Sequence, residues 1–490
     1  MTVVTRFAPS PTGYVHIGSL RTVLYNYLFA KKHSGKFMLR IEDTDRTRYV
    51  EGSVENMLGV LANMGLIPDE GPNNPGDLGP YFQSERLDIY KKYIEQLVQE
   101  DKAYYCFCSS ERLDELRKEQ TELGLPTKYD KKCRYLSLEE IKEKLASGVP
   151  YTVRLKVPEN KEVVFDDVIK GKVKVMSKDV DEQVLLKSDG FPTYHLANVV
   201  DDHLMGVTHV IRGDEWTPST PKHILLYEAF GWKPPVFAHI PLLLGTDKKK
   251  LSKRTGDVAV EAYIEKGYLS EAIINYIALL GWNPKTTEEF FSMNELIERF
   301  ELEQVHKAGA VFDVERLNFF NSYYLKNSST DYLYDKLCNY LAKYSPEFLE
   351  KIKTFSDDYN KKVLGELKTK IKKFDEFEEN TRFLYGEANI PAKDLLLNEK
   401  MKVESIGIAK IALELALDVV SSNSDFSNID EVRDIFIEKI KNAGLKNGQV
   451  LWPVRCALSG EQYSPGALEL IYILGNQKSS ERLEKILKEI

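Results

Sequence analysis

Residues 2–42 read as strand, loop, helix and strand, and that order constrains the fold more than any other stretch of the chain. TVVTRFA (2–8) is rich in β-branched residues and predicts a buried strand. Leu20, Val23, Leu24, Tyr27 and Leu28 recur at helical spacing, with Gly35 as a stop. KFMLRIE (36–42) predicts a second strand. Two strands joined by one helix make a right-handed crossover, the seed of a parallel sheet. The loop PSPTGYVHIGS (9–19) then sits at the carboxyl end of the first strand, where open α/β sheets bind ligands. Its composition suits that place. Pro9 and Pro11 fix the exit from the strand. Gly13 and Gly18 let a base or phosphate approach the backbone, and the helix amino terminus offers N–H groups to an anion. His16 on that lip can hydrogen-bond a phosphate that is gaining charge. Taken alone, so short a pattern as H-x-G reads first as a tight turn with a surface histidine.

A chain of 490 residues is too long for one core and points to about three domains. The 43% hydrophobic share is that of a globular protein. No basic, then apolar, leader opens the sequence, and AIINYIALLGW (272–282) is too short to cross a bilayer. Five cysteines, an odd number, argue against a disulfide framework and for a reducing, cytoplasmic setting. The net charge of −8 does not exclude a local basic face. The lysine-rich run from Lys351 to Lys373 reads first as a solvated helix surface.

Downstream, DKKKLSKRTGD (247–257) sets Lys250 and Lys253 three apart around Ser252. Two ammonium groups there suit a triphosphate losing pyrophosphate. P-S-P-T-G-x-x-H-I-G joined to K-L-S-K-R resembles the HIGH and KMSKS signatures of class I aminoacyl-tRNA synthetases. The opening R-F-A-P-S-P-T-G-Y-V-H-I-G with L-R-I-E-D-T-D (39–45) resembles the glutamyl-tRNA synthetases of bacterial type. The resemblance runs in motifs from residue 6 to about 325 and beyond that in length and helical character.

That resemblance implies an α/β fold: a Rossmann-type parallel-sheet core carrying an inserted α+β domain, followed by an all-α anticodon-binding region. The implied boundaries are 1–103 and 190–246 for the two halves of the core and 104–189 for the acceptor-binding insertion. A stem-contact domain takes 247–329, and the helical region 330–490. The implied activity joins L-glutamate to tRNA(Glu) through a glutamyl-adenylate, with ATP as substrate and Mg2+ beside the triphosphate. Whether tRNA(Gln) is also charged stays open; a monomer without membrane contact is implied. His16, Lys250 and Lys253 would stabilise the transition state, with Gly13, Gly18, His16 and Lys253 against ATP. Arg6, Ser10, Glu42, Tyr194, Asn198 and Arg212 would hold glutamate, whose two carboxylates and one ammonium require two cations and an anion. An arginine fork pairs with a carboxylate and leaves a carboxamide partly unpaired, which would reject glutamine. Asp43 and Asp45 read as helix-capping acids before a helix near 51–64.

Cys106, Cys108 and Cys133 fall in YYCFCSS and KKCRYL, and C-x-C with a third thiolate supplies most of a tetrahedral Zn2+ site. Many glutamyl-tRNA synthetases resemble this with C-x-C followed by C-x-H. Here the last position is Tyr135, and a Y-x-x-x-C pattern offers Tyr129 instead. YTVRLKV (151–157) and GKVKVM (171–176) alternate as strands, AYIEKGYLSEAIINYIALLGW (262–282) reads as one amphipathic helix, and the remainder is helical. A glutaminyl enzyme would carry β-rich sequence in that last third. An H-x-G-H nucleotidylyltransferase would not need Arg6, Glu42 and Arg212 together. A non-catalytic RNA-binding scaffold would not need His16, Lys250 and Lys253.

Overall fold

The computed structural model describes residues 2–251, 259–424 and 426–490. Strand β1 (Val4–Phe7) and strand β2 (Lys36–Leu39) pair in parallel, joined by helix α1 (Ile17–Lys32). Leu20, Val23, Leu24 and Leu28 are all fully buried on α1, and Lys31 and Lys32 sit in its last turn, where the helix dipole favours cations. Trimming one of those leucines to alanine would cost about 2–5 kcal/mol. The crossover read from the sequence is therefore present.

An antiparallel sheet of β3 (Ala103–Cys106), β4 (Thr152–Leu155) and, later in the chain, β7 (Val184–Leu186) follows. Between β4 and β7 lies a hairpin of β5 (Glu162–Asp167) and β6 (Gly171–Met176). This hairpin belongs to another sheet, ordered β6-β5-β9-β8, with β8 (His209–Gly213) and β9 (Val236–Ile240) parallel. Asp167 pairs with Phe237 there, so part of the 104–189 segment expected as a separate insertion extends the core sheet instead. The reason is apolar: Val163 and Phe165 face the same buried cluster as Leu196, Val199 and Phe237. The backbone of Thr208 donates to the Val4 carbonyl at 3.0 Å, which sets the start of β8 beside the start of β1. With β1, β2, β8 and β9 parallel, Arg6, Glu42 and Arg212 come to one edge, the carboxyl edge.

By packing, the chain forms two compact units: 1–262 with 273–313, and 263–272 with 314–490. The segment 247–329 is shared between them. The single helix expected over 262–282 is two, Val260–Glu265 and Ser270–Ala278. Gly267 lies between at φ +77°, and a Cβ there would stand 2.6 Å from that of Phe374, so the turn requires glycine. The second unit is helical from Val314–Asn327 to Ala467–Glu489, and no strand occurs among its described residues. It has its own core, including Leu333, Leu337, Leu413, Phe436 and Leu470.

Asp43 and Asp45 do not cap the helix α2 (Ser53–Asn63), whose amino end is Gly52 without a side-chain cap. Asp45 instead receives the Thr47 N–H of a short 3-10 turn, and Asp43 receives the N–H and hydroxyl of Ser84. Asp45 finds its donor before α2 begins, and Asp43 finds its donors at Ser84, well beyond that helix.

Candidate active site

Two adjoining cavities open at the carboxyl edge of the parallel strands. The first, about 290 Å³, is lined by all six residues expected around glutamate: Arg6, Ser10, Glu42, Tyr194, Asn198 and Arg212. The second, also about 290 Å³, is lined by His16, Gly18 and Lys250. Ser19, Thr22, Gly213 and Glu215 line both, so the two form a continuous approach. Lys253 lies outside the described residues.

The histidine side chain is part of the helix start. His16 Nδ1 accepts the Gly18 N–H at 3.0 Å and so caps α1. A backbone N–H can only donate, so a neutral His16 carries its proton on Nε2. Gly13 adopts φ +146°, a conformation glycine favours, but lines neither cavity.

Charge in the first cavity is arranged in a buried network. Asp202 receives Arg6 Nε at 3.1 Å and Arg40 at 2.8 Å. Arg40, fully buried, also donates to Glu42 at 3.1 Å, and Asn198 donates to the same Glu42 oxygen at 3.4 Å. Behind them Asp201 takes Arg86 Nε at 2.8 Å, the Tyr90 hydroxyl at 2.8 Å and Gln83 at 2.9 Å. Burial pushes the Asp202 carboxyl up, but Arg6 and Arg40 outweigh it and hold the group below the usual range. Glu42 moves the other way, because its burial exceeds the help of Arg40 and Arg6.

Arg212 is held differently. Its Nε donates to His239 Nε2 at 3.1 Å, one terminal nitrogen to the Tyr194 hydroxyl at 3.1 Å and the other to Thr220 Oγ1 at 2.9 Å. Trp216 packs on Tyr194 with ring centres 4.4 Å apart. Among the described residues no carboxylate forms an ion pair with Arg212, though it is only 5% exposed.

Residues 2–319 match the family described as tRNA synthetases class I (E and Q), catalytic domain, and residues 333–487 match the anticodon binding domain. A glutamate–tRNA ligase of Alkaliphilus metalliredigens is 45% identical over 100% of this chain and 99% of its own length. This chain belongs to the glutamate–tRNA ligase family. The corresponding ligase of Chlorobaculum parvum is 46% identical, over 100% of this chain and 98% of its own. The crystal structure of a glutamate tRNA ligase from Elizabethkingia meningosepticum in complex with its amino acid superposes with a TM-score of 0.88 at 38% identity. It covers 100% of this chain and 99% of that one. The class I synthetase fold, parallel sheet first and helical anticodon domain after, is that of the family.

In this synthetase chain the cysteine cluster forms as expected but with a different fourth group. The sulfurs of Cys106, Cys108 and Cys133 all lie within 4.8 Å of one another. The Tyr129 hydroxyl stands 3.3 Å from the Cys106 sulfur and 3.4 Å from that of Cys108, which is itself 3.6 Å from Cys133. Tyr135, expected as the fourth group, is 74% exposed and lies outside the buried cluster of Tyr104, Cys106, Tyr129 and Cys133; the 3-10 turn Lys132–Tyr135 carries Cys133 inward and its last residue outward. Three thiols and the Tyr129 hydroxyl therefore supply four donors close enough to surround one ion, with three of the four being thiols, a donor type that zinc takes. Within the cluster the Cys106 thiol is held below its ordinary value, chiefly by its hydrogen bond with Cys133, while that same bond pushes Cys133 up and burial pushes the Tyr129 phenol up.

The sequence reading omitted Arg40, Asp201, Asp202, Glu215 and Trp216. Two were detectable: the paired acids of FPTYHLANVVDD close an otherwise apolar helix face, where unpaired carboxylates would not be tolerated.

Proposed function

We propose that this protein joins L-glutamate to tRNA(Glu) in two steps at the paired cavities. The observation that carries the reading is the convergence on one cavity of six residues from separate stretches of the chain, next to a second cavity lined by His16 and Lys250. Arg6 and Arg212 face the two substrate carboxylates, and Glu42 faces the ammonium. The substrate α-carboxylate attacks the α-phosphorus of ATP and pyrophosphate leaves; a ribose hydroxyl of the tRNA end then attacks the adenylate. His16 Nε2–H, Lys250 and, from the sequence signature, Lys253 stabilise charge as it builds on phosphate. Positioning and electrostatics supply most of the acceleration in such chemistry. Mg2+ accompanies the triphosphate. The helical domain reads the anticodon, and the reducing cytoplasm is the setting for five cysteines that form no disulfide.

The deciding experiment is aminoacylation with labelled glutamate and glutamine against purified tRNA(Glu) and tRNA(Gln). Glutamate should be attached and glutamine should not; equal use of both amino acids would overturn the cavity assignment.

We assign zinc to Cys106, Cys108, Cys133 and Tyr129, where it would tie β3 to the turn carrying Cys133. Elemental analysis of protein purified without added metal should find near-stoichiometric zinc. Tyr129→Phe should lower the content and Tyr135→Phe leave it unchanged; the reverse order would refute the assignment.

A further inference from the structure

Asp167, His239 and Arg212 form a buried line that the glutamate reading does not use. His239 is on β9 beside Arg212 of β8, since the two are paired in register. Asp167 ends β5 on the far side of β9. All three are buried. Arg212 Nε–H can only donate, so His239 Nε2, at 3.1 Å, must accept. The imidazole proton therefore sits on Nδ1, 2.6 Å from Asp167 Oδ2. Asp167 is locked in turn: one oxygen accepts the N–H groups of Ile169 at 3.0 Å and Lys170 at 2.8 Å, and the other also accepts the His239 N–H at 3.1 Å.

We propose that His239, fixed in its Nδ1–H tautomer by Asp167, is a positioning residue that aims Arg212 at a substrate carboxylate without cancelling its charge. This rests on the reading of Arg212 as a glutamate-binding residue. A carboxylate in direct contact would hold the guanidinium equally well but would compete with the substrate. A neutral imidazole supplies the lone pair and keeps the anion one ring away. The Thr220 hydroxyl, accepting from Arg212 at 2.9 Å, is a second neutral support. Burial holds the His239 imidazole below its ordinary pKa, with Asp167 opposing, so the ring stays neutral at physiological pH.

The test compares steady-state aminoacylation by full-length variants. His239→Leu removes the lone pair and should raise the glutamate KM about tenfold to hundredfold, the cost of a displaced positioning group. The KM for ATP should stay within about twofold. His239→Gln, which returns an acceptor near Nε2, should recover most of the loss. Asp167→Asn should raise the glutamate KM in the wild-type background but add little in the His239→Gln background, where no tautomer remains to be chosen. Gln and Leu variants of equal KM, or glutamate and ATP affected alike, would overturn the positioning role. Arg212→Ala serves as the reference. If it leaves the glutamate KM unchanged, the cavity reading fails and the proposal with it. If it raises KM while His239→Leu is silent, the proposal alone fails. Should the variants misfold, histidine-selective 15N NMR of the unaltered protein decides: an Nδ1–H signature for His239 supports the arrangement, and an Nε2–H signature overturns it.

Discussion

Arg6 and Arg212 reach the same cavity from neighbouring parallel strands but are held by opposite means. Arg6 leans on a carboxylate, Asp202, which it shares with Arg40, and the network continues to Glu42. Arg212 leans on a phenol, a hydroxyl, a backbone carbonyl and the imidazoles of His239 and His223, with the nearest anion of that line, Asp167, beyond the ring of His239. The first wall gains rigidity, because several buried charges fix one another, at the cost of charge already spent inside the protein. The second keeps a nearly unopposed cation for the ligand. A site for a dianion with one ammonium can use both, one wall as frame and one as attractant.

The largest effect should come from breaking the frame. Asp202→Asn leaves Arg6 buried with a neutral partner and Arg40 with only Glu42 and the more distant Asp201, and should destabilise the catalytic unit by about 3–5 kcal/mol. Its urea midpoint would report this; a shift below about 1 kcal/mol would mean that the two walls are not held differently. Arg212→Ala should reverse the pattern. It strands only neutral acceptors, so the unit should stay folded while glutamate binding weakens by about 2–5 kcal/mol, read as the glutamate KM.

Acid should separate the walls next. On the Arg212 side, His223 Nδ1 lies 3.4 Å from a terminal nitrogen of Arg212 and its Nε2 3.0 Å from His195 Nδ1. Burial holds His195 down to about 4 and keeps His223 and His239 below their ordinary value of 6.5. Unfolding frees these rings to bind protons, so the stability they contribute is whole above pH 6.5 and drains as the pH falls toward 4. Asp202, held below its ordinary 3.8, contributes fully above that value and loses its share only below it. Stability measured against pH should therefore fall first through the histidine window, with the carboxylate loss following; a single step below pH 4 would contradict the assignment. The smallest change is Thr220→Val, which removes one neutral acceptor from Arg212 and should cost about 1 kcal/mol in glutamate affinity. A loss as large as that of Arg212→Ala would make Thr220 a direct ligand.

Local chemistry alone determined a good deal of this protein. The β-branched run, the proline- and glycine-rich loop and the helical spacing of Leu20, Val23 and Leu24 each act within one or two turns of chain, so strand, loop and helix around His16 were legible. The motifs likewise marked the residues that converge on the cavities, because each lies in a short distinctive stretch. What depended on distance was decided by tertiary structure. Gly267 breaks a helical pattern because Phe374, over a hundred positions later in sequence, occupies the space of a Cβ. Tyr129, buried ahead of the 3-10 turn, stands at the cysteines in place of Tyr135, because that turn carries Cys133 inward and ends with Tyr135 in solvent. The contrast between Arg6 and Arg212 is of the same kind: both read as a cation at a strand end, and only the pairing of β8 with β9 brings His239 and Asp167 to one of them. A side chain's charge is written in the sequence, but whether a neighbour already neutralises it depends on which distant groups the fold buries beside it.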